Sequence, residues 1–497
     1  MRAALLAAFL SARQAALRGR RDMPITNWHA PCLQFTCGYP PWRRWFSAIS
    51  DLLSICVPAL SITIACVRLA LAGTDMNTPS QSLASSTSGQ GSLSASTRWT
   101  QLLLGLICMM AIASPQYVWT LFTKPLAAKF GIALPELQVT FSILIVLQTL
   151  FSPFQGALID RFGPRLLISI GTVLSGLSWV LASQVHSTAM LYLTYGGFGG
   201  LGTGIVYVGV VGLMVRWFPQ RRGMAAGAVA AGYGMGAIVT TFPIASSLQQ
   251  RGLESTLWLF GIIFAVVGLL AAQGLRTPPA AQQSDPGTPR KMAWRPAQML
   301  RTPVFWLMFL MMTMMCSSGL MVTSQLATFA RDFGVSGATV FGLAAIPLAL
   351  TIDRFTNGLT RPFFGLISDH MGREQTMCFA FALEGVAMAL WLITRADPVW
   401  FVLLSGVVFF GWGEIFSLFP ATLTDTFGSQ YATANYGWLY IAFGIGAIFG
   451  GPLAALLHQH TGSWIPVFQT AIGLDIATAV LAILVLKPLR AKLLARD

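Results

Sequence analysis

One short stretch of the sequence places several charged side chains inside an apolar run, where such groups are costly and are therefore candidates for function. The stretch contains Asp353, Arg354 and Arg361, together with the amide Asn357. Arg361 precedes Asp369, at the end of the run, by eight residues, which is about 12 Å along a helix. An arginine stays protonated and can donate two parallel hydrogen bonds to one carboxylate. We therefore predict that Arg361 binds the carboxylate of an anionic substrate.

Other charges in apolar runs are candidates for a second role. Arg354 precedes Arg361 by seven residues, or two helical turns, so the two arginines lie on nearly the same helix face. Arg354 is a candidate for a second positive charge in the site; the alternative is that it and Asp353 neutralise each other near the outer end of the run.

Glu414, inside the apolar run 399–424, is a candidate with Asp353 for carrying a coupled proton. A hydrogen-bonded structural role is the alternative for Glu414.

The composition identifies lipid as the solvent of these elements. Of the 497 residues, 55% are hydrophobic and only 10% are charged, whereas soluble domains carry about 25% charged residues. The mean hydropathy is +0.66. The net charge of +14 is therefore interpreted through basic cytoplasmic loops and not through nucleic-acid binding. The seven cysteines show no paired C-x-x-C spacing, which excludes a zinc ribbon and a secreted disulfide scaffold.

Runs of about 20 apolar residues, the length that crosses a bilayer, predict an all-α membrane protein. Twelve such runs follow Trp99, so we predict twelve transmembrane helices. They lie near residues 100–121, 137–158, 166–186, 189–215, 224–246, 255–275, 303–328, 339–364, 377–394, 399–424, 435–458 and 464–487.

The prolines and charges between the sixth and seventh runs predict a polar linker, residues 276–302. The linker separates two six-helix bundles, residues 99–275 and 303–488, and a tail follows at 489–497. The connections on the side of the linker and of the tail hold fifteen lysines and arginines, and those on the opposite side hold five. Both ends of the twelve-helix core are therefore predicted to be cytoplasmic, in a cell membrane (the inner membrane in a bacterium).

Residues 1–98 differ in composition from the rest of the chain, with nine arginines and no lysine. The apolar stretch 52–73 is long enough for a thirteenth helix, and residues 1–21 resemble a basic amphipathic helix with a targeting role as one alternative. Met76 opens a polar segment of the kind that precedes a first transmembrane helix. We interpret Met76 as the natural start and expect no functional residues upstream.

A repeated motif relates the two bundles. The pattern Pro-x-x-Gly-x-x-x-Asp-x-x-Gly occurs twice, and its four fixed residues recur 209 positions later. Parallel six-helix repeats with a substrate site between them are typical of secondary transporters. We predict that both copies form a gating latch that holds one conformation and releases in the other; its residues are Gly156, Asp160, Arg161, Gly163, Arg165, Gly365, Asp369, Gly372 and Arg373.

Other motifs argue against enzymes and nucleotide-driven pumps. Residues 197–202 match G-x-G-x-x-G, but they lie inside an apolar helix without the strand that a dinucleotide site requires. The sequence contains no H-E-x-x-H motif and no P-loop. We expect no catalytic residues, metal or cofactor. A nutrient sensor on a transporter fold is the remaining alternative.

The loop motif resembles the signature of the major facilitator superfamily, G-x-x-x-D-R-x-G-R-[RK]. The first copy departs from it at Pro164 and the second at His370.

Further stretches resemble the oxalate/formate antiporter family and its monocarboxylate-transporter relatives: Ser114-Pro-Gln-Tyr-Val-Trp119, Arg216-Trp-Phe-Pro-Gln-Arg-Arg-Gly223, Asn357-Gly-Leu-Thr-Arg-Pro-Phe-Phe-Gly365, Phe419-Pro420, Asn435-Tyr-Gly437 and Gly446-Ala-Ile-Phe-Gly-Gly-Pro452. This resemblance covers about residues 100–488 and implies that Arg361 grips the substrate carboxylate. It also implies that the pocket is completed by Gln116, Tyr117, Tyr207, Tyr233, Trp412 and Tyr440.

One departure from that family bears on the substrate. The resemblance implies a lysine in oxalate carriers at the position of Phe443, which carries no charge here. A buried dianion needs compensation for two charges, so Arg361 alone matches a monoanion better. We therefore expect the substrate to be a small monocarboxylate whose apolar body lies against Phe443. The protein is expected to be a monomeric, lipid-embedded carrier that works by alternating access, returning either with a counter-anion as an antiporter or with a proton as a symporter. Arg354 is the group that can restore the second charge.

Overall fold

Helices make up nearly all of the regular structure in the computed structural model, which describes residues 95–279, 293–335 and 337–495. In lipid every backbone polar group must be satisfied internally, and a helix does this within one segment. The predicted all-α membrane fold is confirmed. The apolar stretch 52–73 and Met76 lie outside the described residues, as does the middle of the predicted linker.

The first half of the described chain contains nine α-helices. A π-helical turn, Tyr192–Phe198, joins the seventh helix to the eighth. The helices are α1 (Ala95–Ala111), α2 (Ser114–Tyr117), α3 (Trp119–Phe130), α4 (Leu134–Leu150), α5 (Ser152–Phe162), α6 (Pro164–Ser183), α7 (Thr188–Leu191), α8 (Gly199–Trp217) and α9 (Arg222–Gln273). We call α1–α9 the first half.

A short helix, α10 (Pro296–Met299), precedes the second half, α11–α19. These helices are α11 (Pro303–Thr323), α12 (Leu326–Asp332), α13 (Ala345–Met371), α14 (Arg373–Ile393), α15 (Pro398–Trp412), α16 (Ile415–Phe427), α17 (Ala432–Thr461), α18 (Ile465–Leu481) and α19 (Lys487–Leu494). A π-helical turn, Ala482–Leu486, joins α18 to α19. Before α13, β1 (Thr339–Val340) pairs antiparallel with β2 (Leu343–Ala344).

The helices are consistent with the predicted twelve spans. Nine segments of the described residues are long and apolar enough to cross a membrane, and α4 with α5, bent by 49°, makes a tenth. Helix α9 has 52 residues, about 78 Å at ~1.5 Å per residue, and its helical geometry breaks at Gly252, so it contains two spans. Helix α13 has 27 residues and holds Asp353, Arg354 and Arg361, whose charges lower its hydropathy.

The outer faces of the bundle are apolar, as lipid requires. Phe154, Leu270 and Ile393 have 67%, 68% and 75% of their surfaces exposed. Conversely, the buried set includes polar and charged side chains that face neighbouring helices. The polar chemistry of the protein therefore lies inside the helix bundle.

The two halves meet along two main seams. Helix α9 packs on α13, and α17 packs on α4, α5 and α8. Gly223 on α9 and Gly365 on α13 approach so closely that a β-carbon on either would collide with the backbone of the other. Small residues therefore allow backbones of opposite halves to touch, as in other membrane helix pairs.

Candidate functional site

Arg361 lies at the seam between α9 and α13 and is 1% exposed. Its Nη1 donates a hydrogen bond of 2.7 Å to the carbonyl oxygen of Ala230, and its Nη2 donates one of 2.8 Å to Asn357 Oδ1. The guanidinium lies 4.5 Å from the ring centroid of Phe416. None of the ion pairs among the described residues includes Arg361. The site therefore holds a buried positive charge whose direct contacts among these described groups (Ala230, Asn357 and Phe416) are neutral.

Glycines on α9 make room for this guanidinium. A β-carbon at Gly234 would lie 3.3 Å from Arg361 Cζ, and one at Gly227 would collide with the backbone of Arg361. The seven-residue spacing places both glycines on one face of α9, two turns apart. The arginine side chain can therefore reach the backbone of α9 at Ala230, between the two glycines.

The aromatic residues predicted for the pocket form one connected cluster. Tyr207 stacks on Tyr440 at 4.8 Å and meets Tyr233 edge-on at 5.1 Å, and Tyr233 contacts Tyr117 at 5.3 Å. Tyr440 stacks on Phe443 at 5.5 Å. The structure thus brings together side chains from α2, α8, α9 and α17, that is, from both halves.

Phe416 connects this cluster to Arg361, and the sequence analysis missed it. Its ring contacts Tyr207 at 6.3 Å, Phe443 at 5.3 Å and Trp412 at 6.2 Å. The indole N–H of Trp412 donates to the carbonyl of Met315. This N–H is therefore already used, and Trp412 can contribute only its ring to the pocket. The only sequence signal for Phe416 is its position four residues after Trp412.

A chain of hydrogen bonds runs along one side of the aromatic cluster. The hydroxyl of Tyr233 donates to Gln116 Oε1. Gln148, which is completely buried, donates from Nε2 to the hydroxyls of Tyr233 and Tyr440, at 3.3 and 3.1 Å. Gln116 was predicted for the pocket, but Gln148 was not. The sequence feature that could have identified Gln148 is a polar amide inside the apolar run 137–158.

The structure places the remaining charged candidates in different surroundings. Asp353 is 6% exposed on α13, whereas Arg354 is exposed, and the structure does not bring Arg354 to Arg361. Glu414 is completely buried at the start of α16. It interacts electrostatically with Arg361 and with Asp475, although it pairs with no described cation.

The first motif copy joins the two halves through Asp160. This carboxylate pairs with Arg216 of α8 and accepts a hydrogen bond of 2.9 Å from the backbone N–H of Ala434, in the first turn of α17. Arg216 also donates to Thr433 Oγ1 at 3.0 Å. A carboxylate at a helix N-terminus satisfies free N–H groups and the helix dipole.

The second copy repeats this arrangement in the opposite direction. Asp369 accepts hydrogen bonds of 2.9 Å from the backbone N–H groups of Gly223 and Met224, in the first turn of α9. It also pairs with Arg373 at 2.6 Å. Each aspartate therefore binds the first turn of a helix that belongs to the other half. We call the end of the bundle where both motifs lie the repeat end.

Asp425 adds a further link at the repeat end that the sequence analysis missed. It pairs with Arg222 at 2.5 Å and with Arg373 at 2.7 Å. Arg216 and Arg222 belong to the stretch 216–223 that resembles the antiporter family, but the sequence predicted no ion-pair partner for either arginine. Arg161 and Arg165 lie apart from these contacts: Arg161 packs on Phe162, and Arg165 bonds Gln273.

The four motif glycines divide into two kinds. Gly163 and Gly372 end α5 and α13 with positive φ of 89° and 97°, which favours glycine. Gly156 and Gly365 instead face the other half, against the backbones of Thr433 and Gly223.

The chain matches the Major Facilitator Superfamily over residues 101–354 and 348–496. The oxalate:formate antiporter of Oxalobacter formigenes is 32% identical to it over 394 residues, which cover 79% of this chain and 92% of that protein. Monocarboxylate transporter 4 of Mus musculus is 26% identical over 392 residues, which cover 76% of this chain and 80% of that protein. Monocarboxylate transporter 13 of Bos taurus is 26% identical over 340 residues, which cover 66% of this chain and 75% of that protein. These similarities confirm the family resemblance. The chain belongs to the Major Facilitator Superfamily and is a multi-pass membrane transporter homologous to the oxalate:formate antiporter and the monocarboxylate transporters.

Proposed function

We propose that this transporter carries small monocarboxylate anions across a cell membrane by alternating access, as an antiporter, and that Arg361 binds the carboxylate. The observation that carries the proposal is the burial of Arg361 without an ion-pair partner among the described residues. An uncompensated buried charge costs several kcal/mol. A bound carboxylate compensates that charge, so the free energy of binding is concentrated at this residue.

Hydrogen-bonding groups around Arg361 favour an acceptor as the ligand. Arg361 Nε and Asn357 Nδ2 are buried and donate to no described group. The hydroxyls of Tyr207 and Tyr436 are also buried and make no hydrogen bond to a described group. An ionised carboxylate accepts hydrogen bonds and donates none, with about four lone-pair sites. These unused donors match a carboxylate.

The charges and the apolar lining favour a monoanion. Phe443, which is 5% exposed, contacts Tyr440 and Phe416 in the cluster that reaches Arg361. Arg354, the group that can supply a second positive charge, is exposed on α13. A dianion at Arg361 would leave one charge uncompensated in an aromatic environment, which opposes its binding.

The repeat end supports alternating access between two bundles, residues 99–275 and 303–488. There, Asp160 and Asp369 bind helix termini of the opposite half, and these bonds must break when the halves separate. We propose that the repeat end faces the cytoplasm, because basic residues are concentrated on that side of the chain. We also propose that the carrier acts as a monomer.

Uptake into proteoliposomes tests the proposal. The wild-type protein is expected to take up radiolabelled formate or lactate in preference to oxalate, and faster when the vesicles contain unlabelled carboxylate. Loss of a buried charge partner costs about 2–5 kcal/mol, so Arg361→Gln should reduce uptake about 30-fold or more. Arg354→Gln, which removes an exposed arginine from the same helix, is the matched control and should retain uptake. Normal uptake by Arg361→Gln would overturn the assignment, and saturable binding without uptake would support a nutrient sensor instead.

Proton-coupled monocarboxylate symport is the second candidate, and Glu414 is the observation that favours it. This completely buried carboxyl group interacts electrostatically with Arg361, so the binding of an anion and of a proton can influence each other. Symport predicts uptake that is stimulated by an inward proton gradient and that loses this stimulation in Glu414→Gln. Stimulation by internal carboxylate alone favours antiport.

A further inference from the structure

Gln148 on α4 joins the two halves in the middle of the aromatic cluster. Its side chain is completely buried. Its Nε2 donates to Tyr233, which belongs to the first half, and to Tyr440, which belongs to the second. The bond between Gln148 and Tyr440 therefore exists only while the halves are in contact at this level.

The hydrogen-bond partners fix the orientation of the Gln148 amide. A tyrosine hydroxyl has one proton, and that of Tyr233 is donated to Gln116 Oε1. Tyr233 then accepts from Gln148, whose NH₂ group lies on that side while its Oε1 is buried without a hydrogen bond to a described group. The second hydrogen of the same NH₂ group points to Tyr440.

This orientation determines what the hydroxyl of Tyr440 can do. Because Tyr440 accepts from Gln148, its own proton is not used in that bond. Among the described residues, no hydrogen bond uses this proton. Tyr440 stacks on Tyr207 and Phe443, and Phe443 contacts the Phe416 ring beneath Arg361. A free hydroxyl donor is therefore left inside the cluster that adjoins the buried cation.

We propose that Gln148 is a positioning residue that keeps the hydroxyl proton of Tyr440 available to donate to the substrate carboxylate. The inference rests on the proposed function, because it requires a carboxylate bound beside Arg361. A glutamine suits this task because it donates two hydrogens from one nitrogen, to one tyrosine in each half. The Tyr440 hydroxyl is thus oriented as a donor while the halves are in contact around the substrate, and it loses its bond to Gln148 when they separate.

A pair of glutamine variants tests the positioning role. Gln148→Leu removes the amide, so the Tyr440 hydroxyl can turn toward other groups; the KM for monocarboxylate uptake should rise about tenfold, while the maximal rate stays within about twofold. Gln155→Leu is the matched control, because Gln155 is also a buried amide and, among the described residues, donates only to the carbonyl of Leu201 within the first half. An unchanged KM in Gln148→Leu, or an equal rise in both variants, would overturn the proposal.

A double-mutant cycle tests whether Gln148 acts through Tyr440. Tyr440→Phe removes the hydroxyl and should raise the KM by a similar factor. Gln148→Leu should then add little in the Tyr440→Phe background, because coupled residues are not additive. If the KM of the double variant instead rises by the product of the two single increases, Gln148 does not act through Tyr440 and contributes packing alone.

Two further outcomes separate this inference from the proposed function. If Gln148→Leu does not fold, Gln148→Glu, which is nearly isosteric, replaces it: its carboxylate would accept the Tyr440 proton, so the KM should again rise. A normal KM in that variant contradicts the positioning role. If the wild-type protein transports no monocarboxylate, the proposed function and this inference both fail. If wild-type uptake is robust and the glutamine variants behave alike, only the positioning role fails.

Discussion

The Arg361 guanidinium of α13 donates a hydrogen bond of 2.7 Å to the backbone carbonyl of Ala230 on α9. The residue proposed to bind the substrate therefore also joins the two halves. A carboxylate that accepts from Arg361 Nη1 competes with this carbonyl for that donor. Substrate binding and contact between the halves are thus connected through one side chain, which is the kind of link that alternating access requires.

Replacement of Arg361 by lysine tests whether the shape of the guanidinium matters as well as its charge. A lysine keeps the positive charge but cannot donate in a planar fork to Ala230, Asn357 and a carboxylate together. We expect Arg361→Lys to raise the KM for monocarboxylate uptake about tenfold or more, with folded protein recovered normally. Arg354→Lys on the same helix is the control. Equal KM values for Arg361→Lys and the wild type would show that a point charge is sufficient.

Loss of the Asp160 carboxylate should loosen the start of α17. The Asp160→Asn variant cannot pair with Arg216, and it loses the charge that favours the N–H group of Ala434. We expect faster hydrogen exchange of the backbone amides at residues 432–435, measured by mass spectrometry, together with slower transport.

Asp397 provides the matched control for that experiment. It also caps a helix start, accepting hydrogen bonds from Val399 and Trp400 of α15, but it lies within one half. The Asp397→Asn variant should leave exchange at residues 432–435 unchanged. If both variants accelerate exchange there equally, Asp160 has no special role as a latch.

A methyl group at Gly227 should act as a wedge between the halves. The β-carbon of an alanine at this position would collide with the backbone of Arg361, and backbone cannot move aside as a flexible side chain can. We expect Gly227→Ala to lose most uptake activity. Gly473→Ala is the control, because no described atom outside the adjoining backbone of its own helix lies within 4 Å of its β-carbon position, and alanine favours a helix. Retention of uptake by both variants would show that α9 and α13 do not need this close approach.

The sequence predicted the elements of this protein better than the partners of its charges. Apolar runs are local, so the described helices followed from hydropathy. The charged α13 is too polar to count as a simple span, and α4 and α5 count only as a bent pair. The choice of Arg361 as a candidate followed from the cost of burying a charge. Its bond to the Ala230 carbonyl could not be predicted, because every backbone carbonyl looks alike in a sequence.

The predicted gating latch illustrates the same limit of sequence reasoning. The repeated motif singled out Asp160 and Asp369, but it gave Arg161 the same weight as Arg373. The structure separates the two arginines: Arg373 pairs with Asp369 and Asp425, whereas Arg161 packs on the neighbouring Phe162. Long-range partners such as Asp425 depend on how the halves meet, and no local spacing encodes that.

A second cation placed at Phe443 should change the substrate. Phe443 contacts Tyr440 and Phe416 beside Arg361, so a lysine there adds a positive charge to the pocket that Arg361 adjoins. Two cations compensate a dianion, so Phe443→Lys is expected to gain oxalate uptake and to lose monocarboxylate uptake. Phe443→Met, which removes the ring without adding charge, is the control and should not gain oxalate uptake. The ratio of oxalate to formate uptake in proteoliposomes measures the change, and an unchanged ratio in Phe443→Lys would show that charge number at this site does not select the substrate.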